Sequence, residues 1–242
     1  VSRPTLLLSD LHLPNTASPL RDAFLAFLAG PAREAQAVWI IGDLFEYWIG
    51  DAEGLADYAP EAAALRRLAD SGVAVHFQHG NRDFLVGRAF AAASGLRLEP
   101  DPRVVDLHGT PTLLSHGDIW CTDDLAYQRW RRFSRNPITQ AIYRRLPRSL
   151  RLAVAGEARA GSSRGDRSMA ILDVNPQAVA QAFAAHGVAR IIHGHTHRPA
   201  RHAALVGHAS VERIVLADWR PGHCEYLRLD DDDLERIVLP TP

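Results

Sequence analysis

The sequence predicts a layered α/β fold, and three observations carry that expectation. Apolar runs with the character of strands alternate with helical runs through the first half of the chain. Short polar clusters follow five of the strand-like runs at once: Asp10-Leu11-His12, Gly42-Asp43, Gly80-Asn81-Arg82-Asp83, His116-Gly117-Asp118 and Gly194-His195-Thr196-His197. A chain of 242 residues that is 47% hydrophobic can also bury one substantial core. One domain spanning residues 1–242 is expected, with a helical insertion at about 124–168.

Thr5 to Ser9 is the first strand, and Pro19 to Ala29 a helix with Leu20, Phe24, Phe27 and Leu28 at helical spacing, closed by Gly30-Pro31. Val38 to Ile41 is the second strand. Pro60 to Asp70 is a helix stopped near Gly72, Val73 to Gln78 a strand, and Phe84 to Ser94 a helix ended by Gly95. Val104 to Leu107 and Thr112 to Ser115 form a hairpin around Gly109-Thr110. Past His116 the strand signature stops. Residues 124–168 read as two or three amphipathic helices broken at Asn136-Pro137 and Leu146-Pro147, with a turn region from Gly161 to Asp166. A helix from Pro176 to His186, capped by Asn175, and a strand at Ile191-Ile192 follow; the tail from Arg201 to Leu239 holds four short strand-like runs.

The net charge of −1 says nothing about partners, but its distribution does. Eleven arginines face two acids, Glu157 and Asp166, between Leu125 and Arg167. All 27 basic residues are arginine, so the clustering, not the residue type, needs explaining. The two cysteines, Cys121 and Cys224, have no CxxC partner, which fits a reduced cytosolic compartment. The first strand has no charged, apolar and small-residue leader pattern before it, and no run approaches the roughly 18 apolar residues that cross a bilayer.

Strands that end side by side bring distant side chains onto one rim, where open α/β sheets put their sites. This rim gathers carboxylate, imidazole and amide without thiolate, a donor set for Mn²⁺, Fe²⁺ or Zn²⁺. Strand alternation is expected to turn Asp10 and His12 to the same side. Gly42 permits a sharp exit that exposes Asp43, whose two oxygens can each take an ion. Asn81 offers a neutral carbonyl oxygen; His116, His195 and His197 offer imidazoles. Two cations about 3.5–4 Å apart clamp the oxygens of a phosphoryl group in an in-line displacement. Taken singly, each histidine also fits a hydrogen-bonded structural role, each aspartate a cap or turn, and Gly80-Asn81 a tight turn. Five independent turns in this order are much harder to explain that way.

The ordered set Asp10-x-His12, Gly42-Asp43, Gly80-Asn81, His116 and Gly194-His195-x-His197 resembles the calcineurin-like metallophosphoesterases, along the whole α/β part of the chain. The resemblance implies a four-layer αββα sandwich with a helical lid insertion. It implies two divalent ions, manganese, one held by Asp10, His12, Asp43 and His197, the other by Asp43, Asn81, His116 and His195, with Asp43 as the bridge. The flanking residues, among them Ser9 to Leu13, Gly42 to Asp51, His79 to Leu85, Cys121 to Asp124, Asp173 to Asn175 and His193 to Pro199, are similar to the branch that cleaves the pyrophosphate of UDP-2,3-diacylglucosamine in lipid A synthesis. That similarity implies a UDP-linked acylated sugar as substrate, UMP and 2,3-diacylglucosamine 1-phosphate as products, and a cytoplasmic enzyme peripheral to the inner membrane. Asn81 and Arg82 would meet the diphosphate, Asp124 the glucosamine, and His195 both metal and substrate. Ser162 matches a substrate-binding serine. Residues 163–167 are two shorter than the pattern, so the next two positions fall on Arg164 and Arg167, with Asp166 as an alternative to the first.

Many members of the superfamily follow the asparagine with histidine, a proton donor, where this chain has Arg82. Arginine stays charged and is a poor general acid. Its presence favours an anhydride, whose phosphomonoester leaving group needs little protonation, over an alkyl ester. The basic insertion, with Trp130, Phe133, Ile138, Ile142, Tyr143, Leu146, Leu150 and Leu152 among its arginines, suits an acylated anionic substrate or an anionic membrane face. A packed helical hairpin with solvated arginines is the plainer alternative. Nucleic acid is not expected, since stacking platforms are lacking, and no obligate protein partner is inferred. A dinucleoside polyphosphate would keep the metals and change the lid; a catalytically dead scaffold would have lost ligand positions, and here all are filled.

Overall fold

The structure, a computed structural model, describes residues 2–163, 173–231 and 233–240. Four parallel strands, β1 (Thr5–Leu8), β2 (Ala37–Ile41), β3 (Ala74–Gln78) and β4 (Arg97–Glu99), lie side by side. A second sheet has the order β5 (Arg103–Leu107), β6 (Thr110–Ser115), β7 (Arg190–His193), β9 (Ala209–Val215) and β8 (Ala200–Val206). Its three central strands are parallel and its two edges antiparallel. β10 (Glu225–Leu229) and β11 (Leu234–Val238) return to the first sheet and complete its six strands, β10 antiparallel to β1 and β11 antiparallel to β10.

Side-chain alternation then builds four layers. Leu6 and Leu8, Val38 and Ile40, Val75 and Phe77 point to one face and pack with Phe24 and Phe27 of α1 (Pro19–Ala29), with α2 (Asp51–Asp57) and α3 (Ala59–Asp70), and with Phe90 of α4 (Arg88–Ser94). Each fully buried phenylalanine contributes roughly 1.5–3 kcal/mol. Their neighbours Leu7, Trp39 and Ile41 point the other way and meet Leu107, Leu114, Ile192 and Ile214 of the second sheet. Leu113, Ile191 and Val211 turn outward under Val179, Ala182 and Phe183, which belong to a helix at Pro176–His186. The result is the αββα arrangement.

The insertion follows β6 as α5 (Leu125–Ser134), α6 (Pro137–Arg145) and α7 (Arg148–Ser163); the Pro176–His186 helix is α8. Asn136 caps α6 by accepting the Ile138 and Thr139 N–H groups, which accounts for the break at Asn136-Pro137. Asn175 caps α8 in the same way. Arg151 pins α7 to the body: it donates to the Ile49 carbonyl at 2.7 Å and pairs with Glu53.

Four expectations change. α4 begins at Arg88 and not Phe84, because the Asp51 carboxylate accepts the Gly87, Ala89 and Phe90 N–H groups and sets its start from another element. α2 was not expected: Gly54 lowers its helical signal by about 1 kcal/mol, yet the Trp48 ring lies where a Cβ on Gly54 would go. β4 is too short, at three residues, to show alternation. α7 continues through Ser163, into the expected Gly161 to Asp166 turn, whose remainder lies outside the described residues.

Candidate metal centre

The ligand-bearing clusters all emerge from strand ends, but not by strand geometry. Asp10, His12, Asp43, His195 and His197 have φ values of 55°, 48°, 52°, 68° and 53°. Left-handed backbone is uncommon outside glycine, and such residues gather at functional sites. Asp10 and His12 therefore share a side through this loop conformation, not through the alternation the sequence suggested. Glycine lets the loops meet: a Cβ on Gly80 would strike Asp43, and one on Gly194 would strike Ser9 and Asp10.

The structure brings together Asp10, His12, Asp43, Asn81, His116, His195 and His197. Asp10 Oδ1 lies 3.3 Å from His197 Nε2 and 3.9 Å from His12 Nε2. Asp10 Oδ2 accepts the His195 N–H at 2.8 Å and a hydrogen bond from Ser9 Oγ. Asp43 Oδ2 is 4.0 Å from His12 Nδ1 and 3.8 Å from His116 Nε2, while Oδ1 accepts the Arg82 N–H at 2.8 Å. One carboxylate oxygen, not two, thus faces both halves of the site. Asn81 Oδ1 stands 3.0 Å from His116 Nε2 and 2.9 Å from His195 Nδ1.

His116 Nδ1 is 3.1 Å from the Ile41 carbonyl, which can only accept, so Nδ1 carries the proton. Neutral His116 then presents a lone pair at Nε2 toward another acceptor, Asn81 Oδ1, an opposition that a proton or a cation must relieve. The titration behaviour agrees. Burial alone would lower the His116 pKa, but the Asp43, Asp10, Asp118 and Asp101 carboxylates hold it up at about 9. Burial pushes Asp43 up to about 7, with Asp83 and Asp10 adding to it against His116. Burial likewise takes His12 down to about 3 and His195 to about 4. Asp10 resists burial and stays well below the usual carboxylate range, through the close approach of His197 and the other nearby imidazoles.

Divalent cations fit this donor set. Asp10, Asp43 and Asp83 are all buried, with Arg82 the charged base beside them, and buried carboxylates of this kind need a counter-charge. Asp10 Oδ1 and His12 Nδ1 are buried and have no hydrogen-bond partner. Ligand atoms of Asp10, His12 and His197, and of Asp10, Asp43 and His116, lie within 4.8 Å of one another in each group.

Residues the sequence did not single out hold the site in shape. Asp83, inside the third cluster, accepts the Leu44 N–H at 2.7 Å and the Gly80 N–H at 2.8 Å and so joins two ligand loops. Glu46 pairs with Arg82 at 2.7 Å. Asp218 stands 3.7 Å from His197 Nδ1, with no motif around it to mark it. Asp124 caps α5 by accepting the Tyr127 N–H at 2.9 Å. Ser162 falls in α7, but its side chain lies outside the described residues, as do Arg164, Asp166 and Arg167. Three insertion arginines are neither solvated nor free for an anionic ligand: Arg131 and Arg135 pair with Asp118, and Arg151 with Glu53.

Beside Asn81 and Arg82 opens a cavity of about 140 Å³, walled by Trp48, Phe84, Leu85, Trp130, Phe133 and Tyr143. It joins the polar cluster to the apolar inner face of α5–α7.

Such a centre at the ends of two facing sheets is that of a metal-dependent phosphohydrolase. A family model described as calcineurin-like phosphoesterase matches residues 3–199, and the chain belongs to that family. Among curated relatives, a protein of Edwardsiella ictaluri named UDP-2,3-diacylglucosamine hydrolase is 44% identical over 98% of this chain and 92% of its own length. One of the same name from Pseudomonas paraeruginosa is 49% identical over 88% of this chain and 90% of its own. The chain also shares its fold with a solved archaeal phosphodiesterase, at a TM-score of 0.50 and 12% identity over 98% of this chain and 99% of the other.

Proposed function

We propose that the protein hydrolyses the pyrophosphate bond of UDP-2,3-diacylglucosamine to UMP and 2,3-diacylglucosamine 1-phosphate in lipid A synthesis, with two Mn²⁺ ions. The observation that carries this is the junction at Asn81 and Arg82, where a cluster suited to phosphate meets a cavity walled mostly by apolar side chains. A diphosphate bearing acyl chains needs both. The names and the near full-length similarity of the relatives support the same substrate.

Asp10, His12, Asp43 and His197 would hold one ion, and Asp43, Asn81, His116 and His195 the other, with Asp43 common to both. Bound there, the ions would supply Lewis acidity toward phosphoryl oxygens and lower the pKa of water. The chain does the rest. Ile41 fixes the His116 tautomer, and the Arg82 N–H holds Asp43 so that Oδ2 faces inward. The Arg82 guanidinium, paired with Glu46 in the absence of substrate, offsets charge on the phosphoryl oxygens without donating a proton. With attack on the phosphorus nearer uridine, the leaving sugar 1-phosphate is a weak base and departs unprotonated. Trp48, Trp130 and Phe133 exclude water and take the acyl chains.

No helix among the described residues is long and apolar enough to cross a membrane. Ile138, Ile142 and Leu150 are nevertheless 71%, 58% and 51% exposed on the insertion, beside exposed Arg144, Arg145 and Arg148. This supports peripheral attachment to an anionic membrane face. The deciding experiment is release of UMP from UDP-2,3-diacylglucosamine, abolished by chelator and restored by Mn²⁺. Faster turnover of a soluble dinucleoside polyphosphate would sink the substrate assignment and leave the metal chemistry standing.

A further inference from the structure

Asp118 is fully buried, two residues beyond His116, and one of its oxygens gathers three donors, two from α5 and one from its C-cap residue Arg135. Tyr127 Oη donates to Asp118 Oδ2 at 2.5 Å, Arg131 Nε at 2.8 Å and Arg135 Nη2 at 3.4 Å. Gln128 adds a bond to the Asp118 carbonyl at 2.9 Å. Two of these side chains also reach the other loops of the centre. Arg135 Nη2 donates to the Gly80 carbonyl at 3.0 Å, next to Asn81. The Tyr127 ring lies nearly parallel to that of His195, 28° apart with centroids separated by 6.0 Å.

α5 therefore touches three loops at once, those that carry Asn81, His116 and His195. These are the residues assigned to the second cation alone; none of these contacts goes to His12 or His197. We propose that Tyr127 and Arg135, seated on Asp118, are positioning residues for the second cation, so that the insertion is a wall of the metal centre as well as a cover for substrate. The inference rests on the two-cation reading. Its physical basis is that partners behind the ligands fix their orientation, and losing one commonly weakens a metal by about 10–100-fold.

The test is titration of the metal-free protein with Mn²⁺, counting free ion by its paramagnetic resonance signal, alongside thermal melting. The wild-type protein takes up two ions. Arg135→Gln and Tyr127→Leu each weaken one of them about tenfold or more, the same ion lost in Asn81→Ala, and leave the other unchanged. Tyr127→Phe keeps the ring against His195 and gives a smaller loss, and it replaces Tyr127→Leu if the larger change unfolds α5. Arg129→Gln, at an exposed position on the same helix, leaves both constants unchanged. Two ions bound with wild-type constants in Arg135→Gln and the Tyr127 variants would overturn the proposal and spare the two-cation reading. Equal weakening of both ions with a lower melting temperature would also overturn it, as general loosening. Fewer than two ions in the wild type would overturn both.

Discussion

The Nε2 atoms of His12 and His197 stand 3.3 Å apart, although 185 residues separate them in the chain. Both also lie near the same orphaned oxygen, Asp10 Oδ1, at 3.9 and 3.3 Å. Two imidazole nitrogens and a carboxylate oxygen in such proximity repel one another unless a proton or a cation lies among them. A cation held there is expected to stabilise the fold.

Mn²⁺ at a hundred times its dissociation constant should stabilise the fold by about 2.7 kcal/mol per ion. For a chain of this size that raises the melting temperature by roughly 5–10 °C. Calorimetry with and without chelator measures it. Identical melting in the two conditions would remove the metal site from the account.

Asp83→Ala should destabilise the protein strongly, because the buried Leu44 and Gly80 N–H groups lose their acceptor. Each orphaned donor costs about 1–3 kcal/mol. Urea unfolding reads the loss, and Mn²⁺ affinity should fall with it, since both loops carry or adjoin ligands. A wild-type midpoint would show that the loops hold themselves.

Arg82→Lys keeps the charge and loses the planar fork. Turnover should drop on the order of 10²-fold, with a smaller effect on KM. Glu46→Gln removes the group that competes with phosphate for Arg82, and KM should fall about 2–5-fold, the scale of a partly exposed ion pair. A higher KM in Glu46→Gln would instead make Glu46 an orienting partner.

Metal affinity should rise with pH. Metal-free Asp43 and His116 hold protons up to about pH 7 and about pH 9, and an ion must displace them. Each displaced proton steepens binding by up to about tenfold per pH unit below the corresponding pKa. Mn²⁺ isotherms from pH 6 to 9 check this, with proton release seen in buffers of different ionisation enthalpy. Affinity independent of pH would contradict the protonated His116.

Ile138→Ser with Ile142→Ser removes two exposed apolar side chains. Partitioning to anionic phospholipid vesicles should fall about tenfold or more, since each such side chain contributes roughly 1.5–3 kcal/mol when buried. Unchanged sedimentation with vesicles would leave the patch merely solvated.

Most of the scaffold was legible because its signals are local. The alternation of Leu6, Leu7 and Leu8, or of Ile191 and Ile192, states which layer each residue meets. The caps at Asn136 and Asn175 announce α6 and α8. What stayed hidden depends on partners distant in sequence. Asp51 sets the start of α4 from 36 residues away, and Trp48 determines that α2 carries a glycine. The ligand types could be named from their clusters, since donor chemistry is written in residue identity. Their supports could not: Asp218 and Arg135 carry no pattern, and only the fold brings them to His197 and Gly80.

The left-handed backbone at Asp10, His12, Asp43, His195 and His197 sets thermal robustness against catalysis. A residue with a side chain costs roughly 1–2 kcal/mol in that conformation, and glycine is nearly free of the cost. At each of the five positions the substitution that relaxes the main chain also deletes a donor atom. Glycine at these places would relieve that cost only by giving up the metal and the stability the metal confers, leaving an inert protein. A stabilised enzyme must therefore draw its gains from elsewhere in the molecule.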